Sequence, residues 1–156
     1  MVRGTIDETR DYERILGALM NWEYIEEQKK GDGYDFVAPD GSKIEVKFDW
    51  DSIKTGNHFL EFEQTGDHWE TKDDSGFSLS EGQADYWVVI NNDFLRILRV
   101  GMIRHLIDSN PDFEKRVVAD RKNNNRPGMS ARGYLIPFTK LDSVVFMKRK
   151  SPIVRS

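Results

Sequence analysis

The stretch YDFVAPDGSKIEVKF, residues 34–48, decides the fold of this chain because it predicts two strands joined by a tight turn. Both arms are rich in aromatic and β-branched residues, which favour extended backbone. Pro39-Asp40-Gly41 lies between them, with the residue types that tight turns prefer. If the loop has three residues and Gly41 adopts the left-handed conformation, Ala38 pairs with Ser42 and the arms form an antiparallel hairpin.

This register brings two carboxylates together. Side chains alternate along a strand, so Glu45 and Lys47 share one face of SKIEVKF while its apolar side chains face the core. Counting back from the turn sets Asp35 directly across from Glu45, with their Cβ atoms about 5 Å apart. Two carboxylates at that separation repel each other, and a divalent cation bound between them would remove the repulsion.

Mg²⁺ fits such a pair, since it takes oxygen ligands at about 2.1 Å and typically binds one or two protein carboxylates, waters and substrate phosphate. The ammonium of Lys47 would hold that phosphate or orient the attacking water. The cation would polarise a phosphoryl oxygen and lower the pKa of bound water. The spacing of Asp35, Glu45 and Lys47 therefore predicts a site for phosphodiester hydrolysis.

Other interpretations of the same spacing remain open. A loop of four residues would turn Asp35 to the opposite face. A solvent-facing strand pair in which Lys47 merely neutralises two exposed acids would need no metal.

The rest of the chain predicts a mixed α/β fold, an α+β arrangement with helices and a mixed sheet in one layer. A helix capped at Asp7 or Thr9 is expected to run to about Met20. Further strands are expected at 22–28, 58–64, 86–91, 93–100, 134–138 and 143–149, and short helices at 80–85, 101–110 and 113–119. Residues 121–133 have no hydrophobic period and predict a long basic loop.

At 156 residues the chain suits one domain, 1–156, with a core at about 9–100 and a basic portion at 101–156. It has no cysteine, which excludes disulfides and thiolate chemistry. No apolar run reaches the roughly 20 residues of a membrane span and no signal-peptide pattern is present, so a cytoplasmic protein with no membrane partner is expected.

Charge is distributed unevenly along the chain. Residues 1–95 carry 9 Lys/Arg against 22 Asp/Glu, whereas residues 96–156 carry 14 against 5. This asymmetry predicts an acidic site for a cation beside a basic surface for phosphates, or else a solvated basic tail.

The same residues resemble the PD-(D/E)XK nuclease superfamily. Its core signature, an Asp followed by Glu-X-Lys on a hairpin, is matched by Asp35, nine intervening residues and Glu45-Val46-Lys47. The segment RDYERIL, residues 10–16, resembles the first helix of archaeal Holliday junction resolvases, where a glutamate joins the metal site, and Glu13 holds that position. Segments at 54–63, 75–76 and 84–89 are similar to phage-encoded nucleases of the superfamily. The likeness covers about residues 9–90, and Tyr34 stands where the superfamily has Pro.

The resemblance implies a restriction-endonuclease-like αβββαβ core and a DNA endonuclease that depends on Mg²⁺ or Mn²⁺. The implied catalytic residues are Asp35, Glu45, Lys47 and Glu13, and the implied metal ligands are Asp35, Glu45, Val46 and Glu13. Glu61 is a candidate additional ligand. A phage-encoded enzyme would act in the host cytoplasm, in recombination, repair or site-specific cleavage.

The basic loop predicts contact with DNA. Its cations are Arg121, Lys122, Arg126 and Arg132, set among Asn and Gly residues. Arginine side chains and backbone amides bind phosphates readily. The segment contains no base-reading motif and indicates no sequence preference. A flexible solvated loop is the alternative.

Three classes of function remain. The leading one is a metal-dependent DNA endonuclease, either structure-selective like a resolvase or sequence-specific like a restriction or homing enzyme. The second is a catalytically inactive DNA-binding domain on the same fold, which the intact Asp35, Glu45 and Lys47 disfavour. The third is an α/β interaction domain without metal affinity. Resolvase-like enzymes pair two active sites, which favours a homodimer, and no nucleotide cofactor is predicted.

Overall fold

The computed structural model describes residues 5–26, 32–65, 72–118 and 130–156, whose strands form two sheets. The helices are α1 (Thr5–Met20), α2 (Ser52–Thr55), α3 (Phe77–Ser80), α4 (Val100–Asp108) and α5 (Phe138–Leu141), with 3₁₀ turns at Pro111–Phe113 and Asp142–Val144. The strands are β1 (Glu23–Tyr24), β2 (Phe36–Val37), β3 (Lys43–Phe48), β4 (Asn57–Thr65), β5 (Lys72–Asp74), β6 (Tyr86–Ile90), β7 (Phe94–Arg99), β8 (Glu114–Val118), β9 (Ser130–Pro137) and β10 (Met147–Lys150).

The first sheet has the order β1-β2-β3-β6-β7-β10, and the second has the order β5-β4-β9-β8. In the first sheet β3 and β6 run parallel, while the other neighbours are antiparallel. The predicted mixed α/β class with a mixed sheet is confirmed. The prediction of one layer is wrong, because β4 pairs with β9 from the C-terminal third and leaves the hairpin sheet.

The hairpin has the predicted turn. The amide of Ala38 donates to the carbonyl of Ser42 at 2.8 Å, and Gly41 is left-handed with a φ of 89°. Phe36 then pairs with Ile44. The three-residue loop is therefore confirmed, and the four-residue alternative is wrong.

Side chains along β6 point alternately into two apolar clusters, one on each face of the first sheet. Val88 and Ile90 pack in the same cluster as Leu16 of α1. Trp87 and Val89 pack in the other, with residues of α4 and with Leu60 of β4. A strand that is buried on both faces has a continuous apolar sequence, which explains the run YWVVI.

Helix α1 covers the hairpin through a narrow buried stripe. It begins at Thr5, ahead of the predicted caps, and Asn21 ends it with a φ of 57°, a conformation that Asn tolerates. Leu16 is fully buried, whereas Ile15 and Leu19, which share its helical spacing, are 50% and 55% exposed. The face of α1 that packs on the sheet is therefore narrow and leaves two large apolar side chains of the helix exposed.

Several elements after β4 differ from those predicted. Helix α3 precedes the helix expected at 80–85 by about one turn. Residues 114–118 form β8 in place of a helical turn, because they pair with β9 and tertiary pairing overrides local preference. Strand β9 begins at Ser130, inside the expected loop, and β10 is confined to Met147–Lys150, after a 3₁₀ turn that starts at Asp142.

Among the segments that the structure describes, no helix is both long and apolar enough to cross a membrane.

Candidate active site

The first sheet has an open edge beside the predicted site, because β2 is only two residues long while β3 continues to Phe48. At this edge the amide of Val46 donates to Oδ2 of Asp35 at 3.0 Å. The amide of Asp35 donates in turn to the carbonyl of Ile44 at 2.8 Å. The N–H and C=O groups of one strand residue point to the same edge, so the carbonyl of Val46 also faces the open side.

The hairpin gathers two acids and one lysine. Asp35 lies one residue before β2. Its carboxyl group is nevertheless close enough to that of Glu45, on β3, for a hydrogen bond between them. Both residues are buried. The Nζ atom of Lys47 lies 2.9 Å from Oε1 of Glu45 and 5.4 Å from the ring centroid of Trp87. The cluster is therefore buried, which excludes the interpretation of a solvent-facing strand pair with exposed acids.

Helix α1 contributes a further acid, Glu13. It is buried and accepts a hydrogen bond from the hydroxyl of Tyr24. Its Oε2 atom is also buried and has no hydrogen-bond partner among the described residues. An unpaired buried polar atom costs on the order of 1–3 kcal/mol. Such an oxygen beside other carboxylates suits a cation ligand.

Crowding changes the protonation of these groups. Burial raises the pKa of Glu13 to about 7, repulsion from Asp35 adds to the rise, and the hydrogen bond from Tyr24 opposes it. Burial likewise raises the pKa of Glu45, with the Lys47 ammonium opposing. Burial alone would lower the pKa of Lys47, but attraction to Glu45 outweighs it and holds that pKa above its usual value. At neutral pH the lysine is therefore charged while Glu13 is near its titration midpoint.

A cleft of about 420 Å³ opens on this cluster. All residues that the resemblance assigns to catalysis or metal binding line it, namely Glu13, Asp35, Glu45, Val46 and Lys47. The cleft also includes Arg155, near the end of the chain. Sequence reasoning missed Arg155, because no pattern within the sequence connects it to a hairpin more than 100 residues earlier.

The donor set suits Mg²⁺ or Mn²⁺ chemically, since it consists of carboxylates and one main-chain carbonyl. Within residues 5–26, 32–65, 72–118 and 130–156, however, no three Asp, Glu, His or Cys side chains stand close enough together to form a finished metal site. Lys47 engages Glu45, and the Val46 amide engages Asp35. The residues thus fit a cation by their chemistry and by the unpaired oxygen of Glu13.

No protein-family model and no curated protein matches this chain. The assignment of function therefore depends on the chemistry and placement of these residues.

Glu61 borders Lys47 without joining the acidic cluster. It lines a neighbouring cavity of about 340 Å³, and Lys47 lines both spaces. The carboxylate of Glu61 accepts hydrogen bonds from the hydroxyl of Ser75 at 2.7 Å and from the side-chain amide of Gln64 at 3.2 Å. Its negative charge attracts the Lys47 ammonium and so contributes to the raised pKa of Lys47.

His58 of β4 is buried beside this neighbouring cavity, which it lines together with Glu61 and Lys47. The Nε1–H of Trp87 donates to Nε2 of His58 at 3.2 Å, so the ring proton is on Nδ1, which donates to Oδ2 of Asp49 at 2.8 Å. This chain of hydrogen bonds holds Trp87, the ring beneath the Lys47 ammonium.

Arg132 alone of the four residues predicted to contact DNA lies in the described part of the chain. Its guanidinium pairs with Glu114 and lies 3.5 Å from Glu63. It also lies over the ring of Phe62, 5.3 Å from the centroid. With two carboxylates already paired to it, Arg132 is poorly suited to hold a phosphate. The other three, Arg121, Lys122 and Arg126, lie outside the described residues.

Proposed function

We propose that this protein is a Mg²⁺- or Mn²⁺-dependent deoxyribonuclease of the PD-(D/E)XK type. The observation that carries the proposal is one cleft into which α1 and the hairpin bring three buried acids, a strand-edge carbonyl and a lysine. Like charges and an unpaired buried oxygen destabilise a protein unless a ligand compensates them. Such groups are concentrated at functional sites, and a bound divalent cation would relieve both conflicts here.

Each residue of the cleft has a chemical part in the proposal. Asp35, Glu45, Glu13 and the carbonyl of Val46 would hold the cation, which would polarise a phosphoryl oxygen and lower the pKa of bound water. The Lys47 ammonium would bind an oxygen of the scissile phosphate or orient the attacking water. Asp35 also fixes the amide of Val46, which keeps the carbonyl of that residue directed to the open edge of β3.

DNA is the partner in this proposal, and the place of action is the cytoplasm of the cell or of a phage host. The proposal includes a homodimer, because two active sites are needed to cut both strands of branched DNA. Sedimentation of the protein alone and with DNA measures whether two copies associate.

The test is incubation with supercoiled, linear duplex, single-stranded and four-way-junction DNA in Mg²⁺ or Mn²⁺. Wild type should cut at least one substrate. Glu45→Gln and Lys47→Met each remove one charge at similar size and should slow cleavage by about 10²-fold or more. Lys43→Met on the same strand and Glu23→Gln on β1, both outside the cleft, are matched controls that should cut normally.

Two outcomes would contradict the nuclease proposal. The first is that all four substrates stay intact with both metals, which would favour a DNA-binding or interaction domain without catalysis. The second is cleavage by Glu45→Gln at the wild-type rate.

A further inference from the structure

Three aromatic rings form one side of the cleft that holds the acids. Phe48 and Trp50 stack with centroids 5.5 Å apart and planes inclined by 24°. Tyr12 of α1 packs against both, at 5.8 Å from Phe48 and 5.2 Å from Trp50. All three are only partly buried and line the cleft. Tyr12, Phe48 and Trp50 together form the aromatic wall of the cleft.

Arg155 is held beside the aromatic wall by its main chain. Its amide donates to Oδ1 of Asn92 at 2.7 Å, and Nδ2 of Asn92 donates to its carbonyl at 2.9 Å. Ile153, two residues earlier, is buried in the apolar cluster under α1. These hydrogen bonds and this packing place the guanidinium 5.9 Å from the ring centroid of Trp50.

The guanidinium of Arg155 is available to a ligand. Its carboxylate partner among the described residues is Glu8, with Nε of Arg155 3.6 Å from Oε1 of Glu8, and the two side chains are 45% and 41% exposed. Exposed ion pairs of this kind contribute at most about 1 kcal/mol, so a phosphate can replace Glu8 at little cost. Among the described residues that line the cleft, the cations are Arg155 and Lys47.

We propose that the aromatic wall and Arg155 bind an unpaired nucleotide of DNA beside the bond that is cut, with its base against Trp50 and its phosphate on Arg155. The inference rests on the proposed nuclease function and names the substrate as DNA with a single-stranded, frayed or branched region. Stacking on aromatic rings is tolerant of sequence, because every base has a π-face. The cleft therefore selects unpaired bases and reads no sequence.

A base inside a duplex cannot use the aromatic wall, because both of its faces are stacked on neighbouring bases. It reaches such a ring only at an end, at a branch or after being flipped out, which costs unstacking energy. The cleft volume of about 420 Å³ also falls among small-molecule pockets, which span roughly 300–1,000 Å³. That space suits one nucleotide and not the width of a duplex.

The test measures the affinity of the full chain for a fluorescein-labelled oligothymidylate and for a labelled blunt duplex, in Ca²⁺ so that DNA binds without turnover. Trp50→Ala should weaken oligothymidylate binding about tenfold, and Trp50→Phe, which keeps an aromatic face, about twofold at most. Duplex affinity should change little. Arg155→Ala should flatten the salt dependence of oligothymidylate binding by about 0.7 in log–log slope, the value expected when one phosphate is no longer neutralised.

Phe146→Ala and Arg99→Ala are matched controls. Arg99 and Phe146 lie outside the cleft and, like Arg155 and Trp50, combine a guanidinium with an aromatic ring. The Arg99 guanidinium is 4.7 Å from the ring centroid of Phe146, which is half-exposed. Neither change should alter affinity. A direct readout accompanies these measurements: oligothymidylate should quench tryptophan fluorescence in wild type, and the quench should shrink in Trp50→Phe.

The outcomes separate this inference from the nuclease proposal. Wild-type oligothymidylate affinity in both Trp50→Ala and Arg155→Ala overturns the nucleotide site, even if the protein cuts DNA. Equal losses on single strand and duplex in Trp50→Ala overturn the preference for unpaired bases. Intact DNA under all metal conditions, together with a selective loss in Trp50→Ala, overturns the nuclease proposal and supports the nucleotide site.

Discussion

The carboxylate of Asp35 accepts a hydrogen bond from the main-chain amide of Val46 at 3.0 Å. The carboxylate thus takes the place of the main-chain carbonyl that a longer β2 would offer to this amide. Asp35 therefore completes the edge of β3 as well as joining the proposed metal site. These two roles depend on different properties of the side chain, an acceptor oxygen in one case and a negative charge in the other.

Substitution at Asp35 should separate the two roles. Asp35→Ala should destabilise the metal-free protein by about 1–3 kcal/mol, because the buried Val46 amide loses its acceptor. The loss of charge repulsion between Asp35 and Glu45 should offset part of this destabilisation. Asp35→Asn keeps an acceptor oxygen and should be at least as stable as wild type, while neither variant should cut DNA. Urea unfolding in EDTA measures both, with Glu23→Gln as the control. Equal destabilisation by Ala and Asn would contradict the hydrogen-bonding role.

Stability without metal should fall as pH rises. The pKa of Glu13 is about 7 in the folded protein against 4.5 for the free side chain, so the folded state binds more protons between these values. The stabilisation is therefore fully present below pH 4.5 and is lost as pH rises through about 7. Glu45, whose pKa is also raised, acts in the same direction.

Denaturant unfolding in EDTA at several pH values across this window measures the effect. Glu13→Gln should flatten the slope, because the amide does not titrate. Glu63→Gln, a change outside the cleft, should leave the slope as in wild type. A wild-type stability that rises between the two pKa values would contradict the assignment.

Divalent cations should reverse this loss, because they bind the folded protein and favour charged carboxylates. The melting temperature above neutral pH should rise with Mg²⁺ concentration in wild type, and less in Glu13→Gln and Asp35→Asn. Cleavage should need Mg²⁺ or Mn²⁺, while Ca²⁺ should bind without supporting turnover. Full cleavage in excess EDTA would be incompatible with a metal mechanism.

The basic segment gives a prediction about DNA affinity. Changing Arg121, Lys122 and Arg126 together to Ala should weaken binding to every DNA sequence about equally, and flatten the salt dependence by about one unit of slope for each phosphate that is no longer neutralised. Cleavage at saturating DNA should survive. Arg132→Ala should instead lower the melting temperature with little change in salt slope, because it breaks ion pairs within the second sheet. An unchanged slope in the triple variant would locate the DNA surface elsewhere.

The sequence by itself determined the hairpin and the grouping of Asp35, Glu45 and Lys47. The causes are local: Gly41 accepts a left-handed φ, the three-residue loop sets the register, and the pleat alternates the side chains. The mixed class was also predictable, because apolar runs such as YWVVI indicate strands buried on both faces.

The tertiary structure alone decided which distant residues complete the site. Ile15 and Glu13 lie on one helix, and only the packing of α1 on the hairpin exposes the first and buries the second. Arg155 reaches the cleft because Asn92 and a buried Ile153 hold the chain end there. The pairing of β8 with β9 arises in the same way, since interactions between segments far apart in sequence outweigh weak local preferences.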